Sequence, residues 1–226
     1  RDKYYYIAIA LEDLMDDQNF TDFVFTLKAN PEITNVPPVD EDLNTTIEKT
    51  GVYAFEDEWP KAGDYDMNDV LVQYTYQKVF NIYNEILSES FTFKTLYNKY
   101  TVFTNGLGFT LSNAGNAQST EYLIKKEGEK GFTVASGTDK FTRESNAIIL
   151  TDNVKTNPNA EYKVTFKYGD KNSNKKQETS IDAFIYRPSK EGNRLKIHCP
   201  MHKPTSKVDT SFFGQNDDRS KPNEGI

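Results

Sequence analysis

Apolar and polar side chains alternate along much of the chain with a period of two residues, and no segment shows the period of about 3.6 residues that marks an amphipathic helix. Successive side chains of a strand point to opposite faces of a sheet, so each alternating segment predicts a strand with one buried face. The segments are residues 4–11, 23–27, 70–79, 90–96, 101–111, 147–150, 162–168, 181–187 and 195–198.

Clusters of Asn, Gly, Asp and Pro separate these segments, for example at residues 112–116 and 156–159. Such residues favour turns because they tolerate unusual backbone angles or bond to their own backbone. Many short strands joined by turns are typical of two packed antiparallel sheets. We therefore predict an all-β fold, an antiparallel β-sandwich with long loops.

Residues 31–50 differ from the rest of the chain because they combine prolines with Asn, Thr and acidic residues and show no alternation. We interpret this stretch as a linker or long loop. It separates a strand segment, residues 1–30, from a larger domain, residues 51–226. A chain of 226 residues is long enough for one large all-β domain with its own core.

Composition excludes some partners and some sources of stability. The formal net charge of -7 repels phosphate backbones, so we expect no nucleic-acid partner. Phe, Tyr and Trp make up 13% of the residues, which suits strands whose rings pack across a sheet. Cys199 is the one cysteine, so no disulfide can form within the chain. Stability must therefore come from the core, the loops or a metal.

Oxygen-bearing side chains cluster between residues 56 and 69. Asp64, Asp66 and Asn68 occupy alternate positions, which places them on one side of an extended or tightly turning loop. Carboxylates this close repel each other unless a cation lies among them, and residues 63–70 contain no Lys or Arg. Calcium takes about six to eight oxygen ligands. We predict a Ca²⁺ site with the candidate ligands Glu56, Asp57, Asp64, Asp66, Asn68 and Asp69.

Two other interpretations of the acidic segment were weighed. An EF-hand loop requires Gly at its sixth position, where this chain has Asp69, and Glu at its twelfth, where it has Thr75. A predicted strand rather than a helix also follows at Val70. The remaining alternative is a solvated acidic turn that binds no metal.

An internal repeat favours the metal site over the solvated turn. An apolar strand, an acidic pair, spaced oxygens and a second apolar strand occur in the same order around residues 11–25 and 55–72. The earlier copy predicts a second, weaker calcium site formed by Asp13, Asp17, Asn19 and Asp22. That copy has lost charge at two positions, so its affinity should be lower, or the site should be vestigial.

The motif Phe-Glu-Asp-x-Trp-Pro-x-x-Gly-Asp-Tyr-Asp-Met-Asn-Asp-Val at residues 55–70 resembles the signature of the LruC-domain family of Bacteroidetes and leptospiral envelope lipoproteins. The similarity extends to residues 105–109, 147–154 and 197–218, and residues 1–30 resemble the end of a calcium-loop domain that precedes the family domain. The resemblance implies a bacterial outer-membrane location, at the cell surface or on the periplasmic face. It also implies a lipid anchor upstream of this chain as the membrane attachment, and a domain that continues past residue 226.

Little in the sequence indicates catalysis. The two histidines, His198 and His202, lie in one short stretch, and no Gly-x-Ser-x-Gly motif is present. Paired carboxylates would suit a glycosidase, but a bound metal would neutralise the closest ones. We therefore expect that the chain is not an enzyme. We expect a calcium-stabilised envelope module for adhesion or for assembly with another outer-membrane protein. The alternative is a carbohydrate-binding lipoprotein of a glycan-uptake system, whose partner would be a surface glycan.

Three further motifs have structural interpretations that we prefer. The stretch His198-Cys199-Pro200-Met201-His202 offers zinc ligands too crowded for a tetrahedral site, so a strand end and loop is the better interpretation. Gly106 and Gly108 lie in a predicted strand and suit close packing rather than dinucleotide binding. Trp59 could stack on a sugar, but next to Pro60 it suits an anchor for the acidic loop.

Overall fold

The computed structural model describes residues 5–11, 23–29, 44–61, 63–82, 84–96, 103–114, 116–168 and 178–214. The chain divides into two compact units, Arg1–Glu41 and Asp42–Ile226. In the first unit, β1 (Tyr5–Leu11) pairs antiparallel with β2 (Phe23–Ala29). Both strands follow the predicted alternating segments.

The second unit consists of a six-stranded and a five-stranded sheet. The six-stranded sheet has the spatial order β3 (Thr45–Phe55), β4 (Val70–Phe80), β5 (Ile86–Leu96), β11 (Glu161–Lys167), β7 (Ser119–Lys125) and β8 (Thr133–Val134). The five-stranded sheet has the order β13 (Arg194–His198), β12 (Ser180–Pro188), β6 (Gly106–Ser112), β10 (Ala147–Thr151) and β9 (Thr142–Glu144). Neighbouring strands are antiparallel, and the described residues form no α-helix.

The core forms where aromatic and aliphatic side chains from the two sheets meet. The Phe109 ring of β6 lies 4.9 Å from the Phe93 ring and 5.9 Å from the Phe91 ring, both on β5. Since β5 and β6 belong to different sheets, these contacts join the two layers. The predicted all-β antiparallel sandwich is confirmed. None of the described segments is a helix that is long and apolar enough to cross a membrane.

The outer face of the five-stranded sheet carries a second apolar cluster that includes Phe184 and Tyr186 of β12. The Phe184 ring lies over Gly108, where an added Cβ would be 2.7 Å from the ring, and Tyr186 lies over Gly106 in the same way. The glycines of β6 therefore make room for two large rings on the neighbouring strand, which is the close packing that the sequence predicted.

The linker predicted over residues 31–50 is wrong at its C-terminal end, because β3 begins at Thr45. Thr45, Thr46, Glu48 and Lys49 are exposed, since β3 lies at the edge of its sheet and pairs with β4 alone among the described strands. A strand with so few buried positions lacks the alternation on which the prediction relied. Strands β7, β8 and β9 also bury few positions, and they were not predicted for the same reason.

Candidate functional site

The acidic residues lie in the loop of a β-hairpin. Strands β3 and β4 pair along their whole length, and the last pair before the loop is Phe55 with Val70. Glu56 follows the last residue of β3 and Asp69 precedes the first residue of β4, so these two residues are neighbours at the base of the loop. The backbone N–H of Asp57 donates a hydrogen bond of 2.8 Å to Asp69 Oδ2, which closes the base of the loop.

The loop brings five carboxylates into two overlapping groups. The outer triad is Glu56, Asp64 and Asp66, and the inner triad is Glu56, Asp57 and Asp69. Within each triad, one oxygen from each carboxylate lies within 4.8 Å of the others. Asn68 donates from its side-chain amide to Asp66 Oδ2, which keeps this residue beside the outer triad. All six predicted ligands are thus neighbours, and metal binding by them stays a prediction.

The two triads differ in exposure. Asp57 of the inner triad is only 1% exposed, whereas Asp64 and Asp66 of the outer triad are exposed. The backbone is left-handed at Tyr65 (φ 58°), between Asp64 and Asp66, and at Met67 (φ 54°), directly after Asp66. This conformation costs non-glycine residues about 1 kcal/mol or more. The alternation of left-handed and ordinary residues produces the tight turn that groups the acids.

Glu56 is the residue shared by the two triads, and its surroundings are unfavourable to a charge. Burial, followed by the neighbouring carboxylates of Asp69 and Asp64, raises the pKa of Glu56 to about 7. Its Oε2 atom is buried and has no hydrogen-bond partner among the described residues. A Cβ on Gly63 would lie 2.5 Å from Glu56 Oε1, so glycine makes the room that this carboxylate occupies. An all-oxygen set with a buried, unsatisfied carboxylate oxygen fits a hard cation such as Ca²⁺.

The sequence did not predict that a cationic side chain lies at the base of the loop. The guanidinium of Arg187, on β12, donates a hydrogen bond of 2.5 Å to the carbonyl oxygen of Trp59 and lies 4.0 Å from the Phe103 ring centroid. Burial lowers the pKa of Arg187, while the negative charges of Asp57, Glu58 and Asp69 raise it. Arg187 is 128 residues from Trp59 along the chain, so only the tertiary fold brings it to the loop.

Two further contacts hold the loop in place. Asn105, which is fully buried just before β6, donates from its amide to Asp57 Oδ2. The Trp59 ring packs edge-on against Phe212 at 6.3 Å and Phe213 at 5.6 Å. Trp59 thus anchors the acidic loop, as the sequence analysis preferred.

Residues 198–202, the stretch that offered zinc ligands, contact Asp182 on β12. Asp182 Oδ2 lies 2.5 Å from His198 Nδ1, and the backbone N–H of Cys199 donates to Asp182 Oδ1 at 3.1 Å. Burial, together with the Asp182 charge, raises the pKa of the Cys199 thiol to about 12, so the thiol stays protonated at neutral pH. Neither His198 nor Cys199 belongs to the outer or the inner triad, the two groups that could hold a metal in the part of the chain that the structure describes.

The weaker second site predicted for Asp13, Asp17, Asn19 and Asp22 lies outside the described residues. The second site therefore stays a prediction.

Comparison with known proteins assigns the larger part of the chain to one family. No curated protein matches the sequence. A family model described as "Domain of unknown function (DUF4842)" matches residues 101–226, which is more than half of the chain. The matched segment contains Asn105 and Arg187, whereas the acidic loop precedes it. The chain belongs to the DUF4842 family of domains of unknown function.

Proposed function

We propose that the loop of residues 56–69 binds Ca²⁺ and that the chain is a calcium-stabilised binding or structural module of a bacterial cell envelope. The observation that carries the metal proposal is Glu56, whose buried and unpartnered oxygen lies among like charges. Glu56, Asp64 and Asp66 would hold the ion, with Asn68 beside them and Asp57 and Asp69 at the base of the loop. The ion would neutralise their mutual repulsion.

A bound ion would stabilise the module by fixing the loop. A ligand that binds only the folded state adds RT ln(1 + [L]/Kd), about 2.7 kcal/mol at a hundredfold excess over Kd. The loop contacts Arg187 of the five-stranded sheet and the aromatic pair Phe212 and Phe213. Calcium would therefore hold together parts of the second unit that are distant in sequence.

The proposed envelope location rests on the resemblance of residues 55–70 to the LruC-domain family, and the DUF4842 assignment is compatible with it. Edge strand β3 supports the assembly role, because it is 11 residues long and pairs with β4 alone among the described strands. An exposed strand edge accepts a strand from a partner protein. We propose adhesion or assembly with another outer-membrane protein as the role.

One observation favours the alternative of carbohydrate binding. Tyr65, between the outer carboxylates, is 66% exposed and presents an aromatic ring to solvent. Aromatic rings and metal ions both contact sugars in binding proteins. Binding of the wild-type chain to a glycan array, together with loss of that binding in Tyr65→Ala, would select this alternative over assembly.

Chelation of calcium tests the metal proposal directly. We expect EDTA to lower the melting temperature of the wild-type chain by about 5–10 °C, since a stabilisation of about 2.7 kcal/mol is lost. Asp66→Ala removes one ligand of the outer triad, so its melting temperature should respond much less. Glu127→Ala, an exposed carboxylate away from the loop, serves as the control and should respond like the wild type. An equal response in wild type and Asp66→Ala would remove the proposed site.

Gly63→Ala distinguishes an effect on calcium binding from an effect on the stability of the fold. The added methyl group would meet the Glu56 carboxylate, which is the end of a flexible side chain and can move away without disturbing the backbone. We expect the free energy of unfolding without calcium to change by less than about 1 kcal/mol, and calcium affinity to fall by about tenfold or more. Isothermal titration calorimetry and urea unfolding in EDTA measure the two quantities. Unchanged affinity would show that Glu56 is not a ligand.

A further inference from the structure

We infer that Asp57 is a positioning residue and not a ligand of the calcium ion, and that Asp57 and Asn105 together orient the outer triad. The inference rests on the proposed calcium site, and it divides the candidate ligands into residues that hold the ion and residues that position them. Asn105 lies just before β6, a strand of the five-stranded sheet, so the site depends on a residue outside the acidic loop.

The Asp57 carboxylate is poorly placed for an ion that arrives from solvent. Asp57 is 1% exposed, and its Oδ2 accepts a hydrogen bond from the side-chain amide of Asn105, which is fully buried. Buried charges are stable when they are hydrogen-bonded, and this carboxylate has such a bond. An ion at Asp57 Oδ2 would have to shed its water and displace the amide donor.

Asn105 is itself held by the five-stranded sheet. Its backbone carbonyl accepts a hydrogen bond of 2.8 Å from the N–H of Val154, which follows β10. The next residue, Gly106, begins β6, which lies between β12 and β10. The position of the Asn105 amide is therefore set by the sheet and not by the acidic loop.

Asp57 links this fixed amide to the outer triad through its backbone. The Asp57 N–H donates to Asp69 Oδ2 at 2.8 Å, and the preceding residue is Glu56. Holding Asp57 therefore fixes the backbone from which the Glu56 side chain extends. Glu56 is the member of the outer triad whose buried oxygen has no hydrogen-bond partner among the described residues, whereas Asp64 and Asp66 are exposed. Groups that orient metal ligands change metal affinity by about 10–100-fold when they are removed.

Exchanging the two side chains tests the inference by isothermal titration calorimetry with calcium. The full chain carries Asp17→Asn and Asp22→Asn in every sample, so that the second predicted loop does not contribute an ion. The double variant Asp57→Asn/Asn105→Asp keeps the hydrogen bond with donor and acceptor exchanged, and it keeps one negative charge in the pair. Its calcium affinity should stay within about threefold of the background chain. Asp64→Asn removes charge from the outer triad and should lose about tenfold or more.

Asn105→Ala distinguishes positioning of the ligands from a loss of stability. It removes the donor to Asp57, so calcium affinity should fall by about tenfold or more. Tyr168→Phe is the matched control, because it removes a different buried hydrogen bond, the one to Glu89. It should lower stability in urea unfolding with EDTA and leave calcium affinity unchanged. Unchanged affinity in a folded Asn105→Ala, or an equal loss of affinity in both variants, would overturn the positioning role.

The single variant Asp57→Asn gives the same comparison if the exchange variant does not fold. Its side-chain oxygen can still accept from the Asn105 amide, so its loss of affinity should be smaller than that of Asp64→Asn.

The outcomes distinguish this inference from the proposed function. A background chain that binds no calcium overturns the proposed function, and the inference with it. A loss of affinity in the exchange variant as large as that in Asp64→Asn overturns the inference alone. The calcium site would then stand, with Asp57 as one of its ligands.

Discussion

Glu89→Gln is expected to lower the free energy of unfolding by about 3–5 kcal/mol. The Glu89 carboxylate is fully buried and accepts hydrogen bonds from the Tyr76 hydroxyl, the Tyr168 hydroxyl, and both the backbone N–H and the hydroxyl of Thr179. All these partners are donors. The amide nitrogen of Gln would point donor hydrogens at them in place of a charged acceptor. Urea unfolding followed by circular dichroism measures the loss.

Glu121→Gln is the matched control for this substitution. Glu121 lies on an exposed part of the same sheet and pairs with Lys167 at 2.7 Å. Exposed ion pairs contribute between about 0 and 1 kcal/mol, so the control should lose little stability. If Glu89→Gln lost no more stability than Glu121→Gln, the buried network would have no special role in the fold.

The same network predicts a dependence on pH. Burial alone would raise the pKa of Glu89, but hydrogen bonds from Thr179, Tyr76 and Tyr168 outweigh burial and hold the pKa below its ordinary value of 4.5. A lowered pKa means that the stabilisation is present above the ordinary value and is lost as the pH falls through the folded-state value. Between about pH 5 and pH 3 the wild type should therefore lose more stability than Glu89→Gln.

The alternation of apolar and polar residues predicted the strands that have a buried face. Strand β4, for example, was predicted over residues 70–79 and spans Val70–Phe80. Edge strand β3 was missed because the side chains of its N-terminal half are almost all exposed. Residues 45–50 were therefore predicted to be part of a loop. The alternation of apolar and polar residues indicates a strand with one buried face. A strand that is held mainly by backbone pairing shows little alternation.

The acidic loop could be predicted because its residues are close in sequence and their charges conflict. The six predicted ligands lie within residues 56–69, and the structure brings them together. Arg187 and Asn105 could not be assigned to the loop, since they come from β12 and from the residue before β6. Their position depends on how the two sheets pack, which no local pattern specifies.

Phe109→Ala should have a comparably large effect on the fold, with a loss of about 3–5 kcal/mol in the free energy of unfolding. Phe109 is fully buried between the sheets, and its ring contacts Phe91 and Phe93 of the opposite layer. The backbone on either side of Phe109 cannot move in to fill the cavity. Gly108 is already packed against the Phe184 ring on the outer face, so β6 is held from both sides.

The exposed Val134→Ala is the control, because Val134 is 73% exposed and its truncation opens no cavity. Its loss should stay below about 0.5 kcal/mol in the same urea unfolding experiment. Phe109→Leu, which keeps most of the apolar volume, should fall between the control and Phe109→Ala. This order follows because the lost stability grows with the volume of the cavity left behind. Equal losses in Phe109→Ala and Phe109→Leu would mean that the sheets close over the missing ring, and that the contact with β5 does not set the distance between them.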